Sequence, residues 1–304
     1  MNRREFSQLA AGTAVVQSFL RGNAQQVQPA DRIRFSVMLW TLEERAPFER
    51  CIEIVAAAGY QGVELVGEFQ KWSVADTQRV MTKMRSLGLV FDAMTGVKAG
   101  FANQAESTDF ITQFAAQIKW AKELECPQII LLSGKRVAGV TREDQRRTAI
   151  ENLKRASDLA AKNGVEIVIE PIDPLENPTI YLTTVSEGFE IVQAVNSKHV
   201  KVLYDFYHEQ RSFGNLIEKL ETHIEWIGLV HVADVPGRHE PGTGEINYEN
   251  IYRKLAELNY RGYTAMEFYP TGDPEAALRK ERIAALQAVR RFGSSQVRRE
   301  KESN

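Results

Sequence analysis

The chain has 304 residues, 43% hydrophobic and 26% charged, with a formal net charge of -2. That is ample material for a globular core, and the mildly acidic balance gives no electrostatic footprint for nucleic acid. The two cysteines, Cys51 and Cys126, match no metal or redox spacing and read as buried thiols.

Residues 1–26, MNRREFSQLAAGTAVVQSFLRGNAQQ, stand apart from the rest. Arg3 and Arg4 precede Glu5 and Phe6, then an Ala/Val/Leu run too short to span a bilayer. Small residues at Gly22 to Ala24 suit cleavage. The segment resembles a twin-arginine export signal, which predicts export to the periplasm and no stable membrane insertion afterwards. If it is instead an attached amphipathic helix, the protein is cytoplasmic.

From Asp31 a beat repeats: a short apolar run, then a helical segment. Strands are predicted at 34–39, 61–66, 89–94, 128–132, 165–170, 200–205, 227–231 and 263–267. Pro47 opens the first helix and Gly59 ends it. Helices follow at about 74–87, 107–125 and 141–163. Thr184 to Glu187 reads as a capping box that opens the fifth helix. Shorter helices are expected at 213–222 and 248–258, and a last one at about 274–292. The continuous apolar strands suit parallel pairing buried on both faces. Eight such units in one domain predict a (β/α)8 TIM barrel over 31–293, with residues 1–30 as signal and linker and 294–304 as a charged tail. A doubly wound sheet is the alternative, but no Gly-rich dinucleotide loop follows the first strand.

In a parallel barrel the active site lies at the C-terminal ends of the strands. Glu64, Glu170, Asp205, His231 and Glu267 stand at the ends of strands two, five, six, seven and eight. Alone, each has an ordinary reading as a cap, loop or core residue. Together, four carboxylates and an imidazole cannot share a pocket ionised without a cation. A divalent metal resolves the conflict, and this oxygen-rich donor set suits Mn²⁺, Mg²⁺ or Co²⁺ better than a structural zinc.

The motifs Gly62-Val-Glu64, Ile169-Glu170-Pro171, Asp205-Phe-Tyr-His208, His231-Val-Ala-Asp234, Ala233 to Tyr248 (ADVPGRHEPGTGEINY) and Met266-Glu267-Phe268-Tyr269 carry a resemblance. The chain resembles the xylose-isomerase-like family of barrel sugar isomerases and epimerases, and within it the hydroxypyruvate isomerases. The resemblance covers about residues 33–290. It implies Glu170, Asp205, His231 and Glu267 as metal ligands, Glu170 and Glu267 as the acid/base pair, and His208 and Arg238 as substrate contacts. It also implies an isomerase that interconverts hydroxypyruvate and 2-hydroxy-3-oxopropanoate through a metal-stabilised enediolate. An exported ketose 3-epimerase and a non-catalytic sugar-binding protein are the competing readings. Homo-oligomerisation stays open.

A guanidinium at Arg238 suits a substrate carboxylate, which hydroxypyruvate has and a free ketose lacks. His239 offers a second donor. Glu64 is expected to hydrogen-bond substrate or a ligand rather than metal. Asp234 is expected to hold His231 or Arg238, and Glu240 to pair with a base or cap the loop. Trp40, Trp72, Phe101, Phe206 and Tyr269 are candidate pocket walls, with Phe101 as a lid.

Overall fold

The computed structural model describes residues 33–302, with side chains through 291. The expected export signal therefore lies outside the described residues. Eight strands pair in parallel, each with the next: β1 Arg34–Met38, β2 Gly62–Val66, β3 Val90–Thr95, β4 Gln128–Leu132, β5 Glu166–Glu170, β6 Val200–Asp205, β7 Ile227–Val232 and β8 Tyr263–Met266. β8 then pairs with β1, so the sheet closes into a barrel. Every expected strand forms within about a residue of its expected bounds.

The helices are α1 Trp40–Glu43, α2 Phe48–Ala57, α3 Val74–Ser86, α4 Ser107–Glu123, α5 Arg142–Asn163, α6 Val185–Val195, α7 Phe206–Ser212, α8 Leu216–His223, α9 Tyr248–Glu257 and α10 Pro274–Glu302. None of the described helices is long and apolar enough to cross a membrane.

Strand periodicity divides the core in two. Inside the barrel, Met38, Ala93, Ile130, Val168, Leu203, Leu229, Tyr263 and Ala265 form one apolar layer. The alternate strand residues, such as Val37, Ile167, Ile169, Val230 and Met266, face the helices in a second, larger cluster. Cys51 and Cys126 are buried and unbridged, as expected.

Several expectations need correcting. The helix placed at 213–222 is α8, and an unexpected helix, α7, precedes it, with a left-handed residue at Asn215 (φ 56°) before α8 begins. α7 begins directly at Phe206 because the Asp205 carboxylate accepts from the Tyr207 and His208 amides. The final helix runs ten residues past its expected end at 292. At α6 only half of the capping box forms. Thr184 accepts from the Glu187 amide, but the Glu187 carboxylate turns to Arg142 and the Tyr181 hydroxyl. A complete box forms instead at Ser73 and Asp76.

Gly100 and Gly134 bring the β3–α4 and β4–α5 loops into backbone contact. A Cβ on Gly100 would stand 2.4 Å from Gly134 Cα and 2.6 Å from the Ser133 carbonyl oxygen. Both loops rim the mouth of the barrel, so this contact fixes part of its wall.

Candidate active site

Period-two geometry places the site. Glu170, Asp205, His231 and Glu267 each lie two residues beyond a member of the interior layer: Val168, Leu203, Leu229 and Ala265. They share its inward face and rise one level above it, at the C-terminal end. All four are buried, and one ligand atom from each lies within 4.8 Å of the others.

The imidazole of His231 is held at both ends. Nε2 lies 2.9 Å from Glu64 Oε2, and Nδ1 lies 2.7 Å from Glu267 Oε2. Glu64 thus bonds the imidazole, one of the two roles expected of it. Trp40 Nε1 donates to Glu267 Oε1 at 2.9 Å, and Arg238 Nη2 pairs with Glu267 Oε2 at 2.8 Å. The same guanidinium reaches Asp205 Oδ2 at 3.4 Å and both oxygens of Glu176 at 2.9 and 3.0 Å. It also stands over the rings of Tyr207 and Trp40. His208 bonds Asp173 Oδ2 through Nδ1 at 2.7 Å and turns Nε2 to Asp205 Oδ2 at 3.5 Å.

The loop after β7 presents Arg238. Its keystone is Asp234, fully buried, whose two oxygens accept from the amides of Val235, Gly242, Gly244 and Ile246. Asp234 thus organises the loop rather than bonding His231 or Arg238 directly, as the sequence reading expected. Arg238 adopts a left-handed backbone (φ 56°), a conformation uncommon for a side chain of this size, and the loop's bonds hold it there. Glu240 closes the far end by accepting from the Thr271 amide and hydroxyl.

The charges are unevenly shared. Burial, then the charge of Glu267, pushes Glu170 up to about 8. Burial also opposes ionisation of Glu267, but the charges of Arg238 and His231 prevail and hold it below the usual carboxylate range. Burial would lower His231, yet Glu64 and Glu267 raise it well above the ordinary imidazole value. His208 reaches about 8, since Asp205 and Asp173 outweigh its burial. Crowded carboxylates thus shift both Glu170 and His231 upward, the kind of charge imbalance that a divalent cation would offset.

The remaining expected residues are placed as follows. Tyr269 packs edge-on to Trp40 with ring centroids 5.2 Å apart, and both stand at the mouth. Phe101 is fully buried against Phe110, and Phe206 packs against Tyr204 and Tyr248; both are core, and Phe101 is no lid. Trp72 packs on Phe48 and Phe69 outside the barrel. His239 Nδ1 bonds the Tyr269 carbonyl at 2.8 Å, and among the described residues no ion pair ties it to the carboxylate cluster. The sequence reading missed Asp173, Glu176, Tyr207 and Arg211. Asp173 follows Glu170 by three residues and Arg211 follows His208 by three, so distance from a strand end was the available signal.

A closed parallel barrel with its ionisable groups gathered at the C-terminal face is a TIM-barrel enzyme. The profile of the xylose isomerase-like TIM barrel family matches residues 52–289, and the chain belongs to that family. Hydroxypyruvate isomerase from Escherichia coli is 29% identical over 252 residues, covering 81% of this chain and 97% of its own. The 2-oxo-tetronate isomerase of Haemophilus influenzae is also 29% identical, covering 81% and 96%. Among solved structures, a Brucella melitensis protein described as an AP endonuclease of family 2 superposes with TM-score 0.75 at 27% identity, covering 81% of this chain and 96% of that one. An IolI protein solved with a zinc atom superposes with TM-score 0.73 at 18% identity, covering 86% and 99%, a likeness of fold. The chain is an isomerase of this family.

Proposed function

We propose that this isomerase is metal-dependent and acts on a short hydroxy-keto acid, interconverting hydroxypyruvate and 2-hydroxy-3-oxopropanoate. The observation that carries the substrate reading is Arg238. Its guanidinium is buried at the mouth, within reach of the proton-transfer carboxylates, and is aimed by a dedicated loop. A buried guanidinium there is matched to a substrate carboxylate. Hydroxypyruvate and 2-oxo-tetronate, the compounds named for the two relatives, both have that group beside a ketone, and a free ketose does not.

Glu170, Asp205, His231 and Glu267 would hold the cation, Mn²⁺ or Mg²⁺ by the oxygen-rich chemistry of the set, with Co²⁺ also compatible. When bound, the cation would polarise the substrate's carbonyl and adjacent hydroxyl and acidify the C–H between them. The protein supplies the rest. Glu267, kept ionised by Arg238 and His231, accepts the C–H proton. Glu267 then returns that proton to the neighbouring carbon, with Glu170 on the other face as its acid/base partner. Trp40 fixes one oxygen of Glu267, and His231 and Arg238 hold the other. Return of the proton to the adjacent carbon gives isomerisation; return to the original carbon from the other face gives epimerisation.

The deciding experiment is a direct assay of hydroxypyruvate with added Mn²⁺ or Mg²⁺, before and after chelation. Turnover that vanishes on chelation and returns with metal is expected. No turnover of hydroxypyruvate beside a good rate on a ketose would sink the reading in favour of a 3-epimerase. Absence of any solvent proton exchange into bound substrate would favour a binding protein. Export through residues 1–30 belongs to the same proposal. Replacing Arg3 and Arg4 with lysine should retain the protein in the cytoplasm, and unchanged periplasmic fractionation would count against it.

A further inference from the structure

β3 contains a carboxylate that the reaction does not use. Asp92 is fully buried inside the barrel wall, and neither of its oxygens has a hydrogen-bond partner. A buried acceptor left in this state costs on the order of 1–3 kcal/mol or more, so its position calls for a reason.

The backbone gives the first part of one. β2 and β3 pair as Gly62 with Val90 and Val63 with Phe91, and then the register shifts so that Glu64 pairs with Ala93. Asp92 is the extra residue of a bulge, a device that re-aims a side chain beside a site. The bulge turns Asp92 inward as well as Ala93, which joins the interior layer. The carboxyl group then lies flat on Gly62. A Cβ there would stand 2.5 Å from Asp92 Oδ1 and 2.9 Å from Ser36 Cβ. Only glycine at position 62 leaves this space.

The neighbour above completes it. Glu64 Oε2 receives His231 Nε2 at 2.9 Å, while Glu64 Oε1 has only a long contact of 3.4 Å from Ser36 Oγ. Two buried carboxyl groups side by side cannot both be ionised. A proton on Asp92 makes one of its oxygens a donor, and the Glu64 carboxylate, whose Oε1 otherwise has only that long contact, is the neighbouring acceptor.

We infer that Asp92 is a positioning residue: it holds a proton and donates it to Glu64, so that Glu64 stays fixed as the acceptor of His231 Nε2–H and the other ring nitrogen, Nδ1, faces the ligand cluster. Burial, then the Glu64 charge, shifts the Asp92 carboxyl well upward, in the direction this requires. The chain Asp92–Glu64–His231 reaches the metal cluster from below without touching substrate. It is the partner-of-a-partner arrangement by which ligating histidines are oriented. The inference rests on the reading of Glu170, Asp205, His231 and Glu267 as a cation site.

The test is Mn²⁺ titration followed by electron paramagnetic resonance, which needs no substrate, on folded protein checked by thermal unfolding. Asp92→Asn keeps a donor toward Glu64 and should bind Mn²⁺ within about twofold of wild type. Asp92→Ala removes the donor and should weaken binding about tenfold or more. In a Glu64→Leu background, Asp92→Ala should change nothing further, because the two act through one bond. A folded Asp92→Ala with wild-type affinity, an Asp92→Asn that binds as weakly as alanine, or additive effects in the double variant would each overturn the inference alone. Wild-type protein that binds no Mn²⁺ would overturn the cation reading and this inference with it.

Discussion

At the scale of the residue, Glu267 is the most heavily used group in the protein. Trp40, His231 and Arg238 all bond its carboxylate. Glu267→Gln keeps the shape and removes the basicity, so turnover should fall by about 10³-fold or more while the protein stays folded. Retained activity would remove Glu267 from its role. Arg238→Lys tests recognition rather than chemistry. An ammonium cannot reproduce the fork that spans Glu267, Asp205 and Glu176. The KM for hydroxypyruvate should rise about tenfold or more, by the value of a charged hydrogen bond; a rise in KM for a neutral ketose of the same size would argue against carboxylate recognition. The metal-ligand candidates were legible in the sequence because each closes an apolar strand with a charge. Asp173, Glu176 and Arg211 were not, because they come from loops and helix turns where charge is ordinary. Asp92 was visible as the one charge inside LVFDAM, but its meaning depends on a bulge that no hydrophobic pattern announces.

At the scale of the element, the strands were legible to a residue because a parallel strand buried on both faces leaves a continuous apolar run. The helices after β6 were not. Asp205 serves as both site residue and helix cap, so a helix starts where a loop was expected. The loop from Asp234 to Ile246 shows how an element with little secondary structure is held. Four amides converge on one buried carboxylate. Asp234→Ala should cost roughly 3 kcal/mol or more, the value of several charge-assisted bonds with their donors left buried. It should also raise hydrogen exchange at Gly242, Gly244 and Ile246; protection equal to wild type would show that the loop stands without it. Gly100→Ala should cost at least about 2 kcal/mol, since its methyl group meets backbone and not a movable side chain. Urea unfolding measures it, and a neutral result would mean the two loops can part.

At the scale of the whole molecule, stability should depend on pH through a group far from the reaction. Glu281 on α10 is buried, and its carboxylate meets the Tyr252 hydroxyl at 2.5 Å. Burial pushes it up to about 7. At low pH both folded and unfolded chains hold the proton, and the group is neutral to stability. As pH rises from about 4.5 the unfolded chain ionises first, so the folded state loses ground until about pH 7, where the penalty reaches roughly 3 kcal/mol. Glu281→Gln should therefore match wild type near about pH 5 and exceed it near about pH 8 in urea unfolding. A difference that is the same at both values would place the cause outside ionisation.

The apolar layer under the cluster sets the traffic of the reaction. Met38, Ile130, Val168, Leu203 and Leu229 form an apolar layer one level below the carboxylates, so the mouth at the C-terminal face is the door to the pocket. Product must leave the way substrate came, and while it stays it blocks the next arrival. Inhibition by product should thus be competitive. A proton taken up by Glu267 can meet bulk water only through the same door, so a deuterium label removed from one carbon should be found in part on its neighbour, in a proportion that rises the longer the door stays shut.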